Sequence, residues 1–337
     1  MSDTLLSQIR NRVTVDIDSM DPEVAARHTK DIKFCDMTSN QAIVYGEALR
    51  PERADLLKSA VEAIKKRGGN PNEEAFLQDV VDLFTVLLGK KVYPHLTGNV
   101  HAQTSPSTAY DTEKTVEHAR KLVSIFEANK IPKERVCIKI PATAESMVAC
   151  KVLAEMGIKT LATCLFSVPQ AVAASQANCV YVAPYFNELR VHFEPSLWRE
   201  YTHPAEDHPM SQTIVSIRQA LRSISSKTQV MPASIVTVKE ASQVVSLVSL
   251  KPDHITISGG LLDRLSQEQP MPAESFTTSL QPKLDEAQLS KDYLVQSGEA
   301  LREAIQDDEE VTRKLADALS LFDDFEKKTR ELVKTLL

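Results

Sequence analysis

Short apolar runs rich in β-branched residues alternate along this chain with longer segments whose apolar residues recur at helical spacing. The runs fall at 13–18, 32–38, within 92–103, and at 136–140, 160–166, 179–183, 229–231 and 254–258. Helical stretches follow from about Pro22, around 40–47, 52–66 and 73–89, over 111–129 and from Ala144 to Met156. Asp111 and Thr143 stand where N-caps belong, Glu113 suits a first helical turn, and Gly157 suits the residue after a helix end. A long irregular loop runs from about 186 to 209, before a helix at 211–223. Eight strands, each followed by helix, predict an α/β fold. The expectation is one (β/α)8 TIM barrel over about 12–282, with C-terminal helices over about 284–337, in a single domain.

Composition fits that reading. The chain has 337 residues, 42% of them apolar and 25% charged, which suits a folded enzyme with a sizeable core. The net charge of −7 is mixed along the chain and forms no basic stripe, so neither nucleic acid nor a membrane surface is expected as a partner. Cys35, Cys137, Cys150, Cys164 and Cys179 are odd in number and mostly sit in apolar runs, which reads as free buried thiols in a reducing compartment. The N-terminus lacks a signal-peptide pattern. A cytoplasmic, soluble protein is the expectation.

Barrel enzymes carry their chemistry at the carboxyl ends of the strands, and residues two apart on a strand share a face. On the fourth strand Lys139 shares a face with Cys137, flanked by Ile138 and Ile140. An inward lysine among isoleucines is poorly solvated; desolvation lowers its pKa and frees the amine to attack a carbonyl. The iminium so formed is an electron sink for breaking or making an adjacent C–C bond. The bland alternative is a lysine that snorkels to solvent. The same parity picks out Asp16 and Asp18, then Asp36, Thr38 and Asn40, then Asn99, His101 and Gln103, then Thr163, Thr256 and Ser258. Aldol chemistry needs a proton shuttle and donors for substrate hydroxyls, which Asp18, Asn40, Asn99 and Thr163 could supply. Asn40 also stands where a helix cap belongs.

At these residues the chain resembles the transaldolase family. The blocks are Val15-Asp16-Ile17-Asp18, Asp36-Met37-Thr38-Ser39-Asn40-Gln41-Ala42, Ile138-Lys139-Ile140-Pro141-Ala142-Thr143-Ala144-Glu145, and Thr163-Cys164-Leu165-Phe166-Ser167-Val168-Pro169-Gln170-Ala171. The resemblance implies an α/β barrel, a homodimer, and no metal or organic cofactor. It implies Lys139 as the Schiff-base residue, Asp18 as its acid/base, Asn40 as holder of substrate hydroxyls, and Thr163 as orienter of a catalytic water. Ser234 matches a serine that touches the substrate phosphate.

Four positions depart from the family. Asn99 stands where a relay glutamate is expected, as in the small transaldolase-like fructose-phosphate aldolases. Those enzymes also carry a tyrosine on the sixth strand, which Tyr181-Val182-Ala183-Pro184-Tyr185-Phe186-Asn187 resembles, making Tyr185 the candidate to assist the water. Leu161 replaces an asparagine. Glu188 and Val236 replace two phosphate-binding arginines, and a carboxylate repels a phosphate where a guanidinium forks onto it. Arg190 and Lys239 are the nearby cations that could compensate. Without them, two charge-assisted contacts of about 1.5–3 kcal/mol each are lost.

The expected activity is transfer of a three-carbon dihydroxyacetone unit from a ketose, phosphorylated or not, to an aldehyde acceptor, as in the pentose phosphate pathway. The alternative is a class I aldolase or aldol-condensing enzyme for an unphosphorylated substrate. A barrel without activity that serves in binding is the reading from another class. Thr38, Ser234, Arg190 and Ser258 complete the expected substrate contacts. His192, Glu194, His203, Asp207 and His208 crowd the long loop without a metal-ligand spacing and read as a solvated lid, anchored by Trp198 and Tyr201.

Overall fold

Among the described residues seven parallel strands carry the architecture: β1 (Thr14–Asp18), β2 (Val100–Gln103), β3 (Val136–Pro141), β4 (Lys159–Leu165), β5 (Tyr181–Pro184), β6 (Gln229–Val230) and β7 (His254–Ser258). The computed structural model describes residues 4–29, 32–236 and 241–337. Strands β2 to β6 pair in chain order, and β1 pairs with β7 so that Asp18 lies opposite Ser258. The stretch around Met37 joins the two sets, bridging Ile17 on one side and Val100 on the other. Between β6 and β7 the Asp253 N–H donates to the Val230 carbonyl, and the Thr256 N–H to that of Pro232. The ring closes, as the sequence pattern predicts.

Two strands differ from expectation. The run at 32–38 forms only isolated bridges at Phe34 and Met37. Its ladder is interrupted because the Asp36 N–H donates to the Asp16 carboxylate at 2.8 Å. The third strand begins only at Val100, since the helix Glu74–Val92 runs on and Pro94 follows within the turn Tyr93–His95. A short helix, Leu5–Arg10, was not expected; its capping box through Thr4 and Ser7 starts it, and Leu5, Leu6 and Ile9 bury its inner face.

The helix starts follow the expected chemistry. Asp111 accepts from the Lys114 N–H, and Thr143 from that of Ser146. Gly157 follows the helix Ala144–Glu155 at φ +71, a left-handed conformation that favours glycine. Outward-facing strand residues, among them Ile17, Ile138, Ile140, Val182, Ile255 and Ile257, are buried beneath the helices. The final helix, Glu309–Lys334, packs on the helices Gln41–Ala48 and Glu74–Val92 and reaches the turn Leu189–His192. That turn opens the long lid, which also holds the turn Pro195–Leu197 and the short helix Pro204–Asp207. Among the described residues, no helix is long and apolar enough to cross a membrane.

Candidate active site

The barrel interior carries two stacked polar layers. The upper layer surrounds a cavity of about 320 Å³ lined by Asp18, Asn40, Lys139, Tyr185, His192, Ser234, Thr256 and Ser258, with Ala42, Ile43, Leu189, Phe193, Ala233 and Ile235 as its apolar walls. Lys139 is 2% exposed, and burial lowers its pKa against the opposing pull of Asp18. Its Nζ lies 5.9 Å from the centre of the Tyr185 ring. β-strand alternation does the placing: Lys139 turns inward while Ile138 and Ile140 pack outward.

Asp18 sits at the end of β1 in a hydroxyl chain. The Thr38 hydroxyl donates to its Oδ1 at 2.6 Å and lies 2.6 Å from Thr256 Oγ1, so Thr256 donates in turn to Thr38. Asn40 serves two roles at once, since its Oδ1 caps the helix Gln41–Ala48 through the Ile43 N–H while the residue lines the cavity. Ser258 precedes the helix Gly259–Leu265 without capping it by its side chain.

Thr163 and Tyr185 meet as a pair, with the Thr163 hydroxyl donating to the Tyr185 hydroxyl at 2.9 Å. Burial pushes the Tyr185 phenol well above its ordinary pKa, so it stays protonated. Beside them β4 carries an irregularity that strand parity does not foresee. Its register with β5 shifts between Ala162 and Leu165, and Cys164 adopts φ +51. The shift turns the Cys164 sulfur toward Tyr185 and Lys139, where burial pushes its thiol up to about 12. Ser234 is likewise left-handed, at φ +60, and its Oγ lies 2.8 Å from His192 Nε2. His192 keeps one face open to solvent, and partial desolvation beside Ser234 lowers its pKa below the ordinary imidazole value. The sequence reads His192 as a solvated lid residue, and it is indeed exposed; that it also borders the cavity had no signal beyond its apolar neighbours Leu189, Val191 and Phe193.

Two sequence expectations need correction. Asn99 lies outside this cavity. It precedes β2, and Gln103, four residues on, is the one in register with Lys139, which sets Asn99 about 13 Å lower along the barrel. There its side chain donates to Asp36 at 3.0 Å and accepts from Lys159 at 2.9 Å, in a lower layer with Asp16, His101, Tyr181 and His254. Arg190 turns away from the cavity. Its guanidinium binds Asp317 of the final helix, with Nε at 2.9 Å, and Glu194 at 2.8 Å. Glu188, in turn, is held by both terminal nitrogens of Arg313, at 2.8 and 2.9 Å. Leu161 and Val236 are buried, and Lys239 lies outside the described residues.

A second cavity of about 590 Å³ lies between the lid and the start of the final helix, lined by Trp198, Tyr201, His208, Arg313 and Lys314 among others. Tyr185 borders it, but Lys139, Asp18 and Ser234 do not. Among the described residues the lid histidines and acids do not gather as a metal site. The group that could is Asp16, Cys35 and His254 in the lower layer, where the Asp16 carboxylate and His254 Nδ1 already bond at 2.8 Å.

The chain also matches known proteins. Residues 15–335 match the family model described as Transaldolase/Fructose-6-phosphate aldolase. The chain is 30% identical to a transaldolase of Rhizobium etli over 94% of its length and 92% of that protein's. It is 31% identical to a transaldolase of Saccharomyces cerevisiae over 87% of each, and 30% identical to one of Schizosaccharomyces pombe over 85% of this chain and 82% of that one.

Proposed function

Because the chain belongs to the transaldolase/fructose-6-phosphate aldolase family and is an enzyme of transaldolase type, we propose that it works through a Schiff base on Lys139. The observation that carries this reading is a buried lysine of lowered pKa inside a cavity ringed by hydroxyls and one carboxylate. The Lys139 amine attacks the ketose carbonyl and forms a carbinolamine, which loses water to give the iminium. Asp18 then takes the proton of the C4 hydroxyl while the C3–C4 bond breaks. The bonding pair moves toward the iminium nitrogen, leaving a three-carbon enamine and releasing an aldehyde. An acceptor aldehyde captures the enamine at C3, and hydrolysis of the new iminium frees the product.

Thr163 and Tyr185 are well placed to hold the water of dehydration and hydrolysis. Thr163 donates to the Tyr185 oxygen from behind the cavity, and the phenol proton can pass between that water and the neighbouring Cys164 sulfur. The amide of Asn40, capping through its oxygen, keeps its NH₂ for a substrate hydroxyl, and Ser258 adds a hydroxyl at the same mouth, whereas Thr38 is buried behind the cavity, holding Asp18. No metal or organic cofactor is required, since the covalent lysine supplies the electron sink. The free thiols fit a cytoplasmic setting, and the family resemblance supports a homodimer in sugar metabolism such as the pentose phosphate pathway.

The test is reductive trapping. With a ketose present, borohydride should leave a secondary amine on Lys139, located by peptide mass, and Lys139→Met should abolish both adduct and turnover. An adduct on another lysine, or turnover in Lys139→Met, would refute the assignment.

A further inference from the structure

The cavity has one wall whose chemistry differs from the rest. Three strands round from Lys139, Ser234 and His192 share a hydrogen bond of 2.8 Å, with Leu189, Phe193 and Ile235 about them. Among the described residues lining the cavity, the charged groups are Asp18 and Lys139, and Lys139 is tied covalently to the carbonyl carbon at the other end of the substrate. The two guanidiniums at the lid's junction with the final helix are committed elsewhere, Arg190 to Asp317 and Glu194, and Arg313 to Glu188 and Glu310. The final helix thereby draws the lid's charges outward and leaves His192 facing in.

We propose that His192 and Ser234 form the recognition subsite for a hydroxyl-bearing, uncharged end of the ketose, so that this enzyme takes an unphosphorylated sugar. The inference rests on the Schiff-base reading and names the substrate class for it. An alcohol both gives and accepts a hydrogen bond, which is what an imidazole–hydroxyl pair offers. The ring borders the cavity with its other face in solvent, and partial desolvation lowers its pKa from the ordinary value, so it brings no standing positive charge at neutral pH. A phosphate dianion only accepts, and a wall of this kind leaves its charge uncompensated beside Asp18. Ser234 makes this contact from a left-handed backbone, at φ +60. His192 is then the specificity-determining residue.

The test compares kcat/KM for fructose and fructose 6-phosphate with a common acceptor aldehyde. The wild-type enzyme is expected to prefer fructose by about tenfold or more, equivalent to about 1.4 kcal/mol. His192→Ala should raise KM for fructose with kcat less affected, and His192→Arg should shift the ratio toward the phosphate by about tenfold. Equal use of the two ketoses, or preference for the phosphate, with Lys139 still trapped by borohydride, overturns this inference alone. Loss of a phosphate preference in Lys239→Ala would then assign recognition to that lysine. No adduct with either ketose overturns the Schiff-base reading and the inference with it.

Discussion

Replacing Lys139 with methionine should abolish activity and stabilise the fold. In the unfolded chain the ammonium holds its proton up to about pH 10.5, whereas in the barrel burial makes it release the proton at lower pH. Between those two pKa values the unfolded state binds more protons, so stability rises with pH across that window. Below the folded pKa the cost is constant, and above 10.5 it is gone. Each unit of depression corresponds to about 1.4 kcal/mol. At 2% exposure, solvent screening does little to reduce it. For a chain of this length, 1.4 kcal/mol amounts to about 2 °C in Tm. Methionine keeps the volume of the stem and carries no charge to desolvate. Urea unfolding of wild type and Lys139→Met between pH 7 and 10.5 should show the variant more stable at pH 7, with the gap closing as pH rises. Asp18→Asn, which removes the one carboxylate that favours the ammonium, should widen the gap between lysine and methionine at neutral pH. A gap that is absent, or that stays constant over the whole range, refutes the claim that burial tunes this amine.

Tyr185→Phe removes the hydroxyl bound to Thr163 and should lower kcat by about a hundredfold or more while borohydride still traps substrate on Lys139; unchanged turnover would remove Tyr185 from the water site. Asn99→Ala strips partners from the buried Asp36 and from Lys159, so a loss of about 1–3 kcal/mol in denaturant unfolding is expected with KM unchanged. A large KM effect would return Asn99 to the substrate. Arg190→Ala breaks the exposed links to Asp317 and Glu194; global stability should change by less than about 1 kcal/mol, while limited proteolysis within 190–200 speeds up. Unaltered cleavage would mean that other contacts hold the lid.

Much of the upper layer is legible in the sequence because strand parity is a strict rule. Asp18, Lys139, Thr163 and Thr256 fall on the inner face by counting in twos, and the structure puts them there. The failures share a physical origin. Parity says which way a side chain points but not how far along the barrel axis it lies, so Asn99 passed for a neighbour of Lys139 although the register sets it four residues lower. Cys164 escaped because a bulge breaks the alternation, and nothing in its residue type announces a left-handed backbone. Arg190 and His192 sit two apart in one lid turn, and their opposite directions depend on the final helix more than a hundred residues away. Its Asp317 fixes the arginine and thereby the turn. No local pattern encodes such a contact.

The two polar layers inside the barrel imply a separation between what makes this protein stable and what makes it work. The lumen holds carboxylates, imidazoles, an amine and phenols, groups that satisfy one another but bury little oil-like surface. Cohesion therefore has to come from the annulus outside the sheet, where Ile17, Ile138, Ile140, Val182, Ile255 and Ile257 meet the helices. Volume changes in that annulus should weaken the whole molecule. Exchanges at the upper lumen should redirect chemistry at modest cost to folding. A chain built this way can drift in substrate preference while its shell stays under constant selection, much as a vessel can be refilled without being recast.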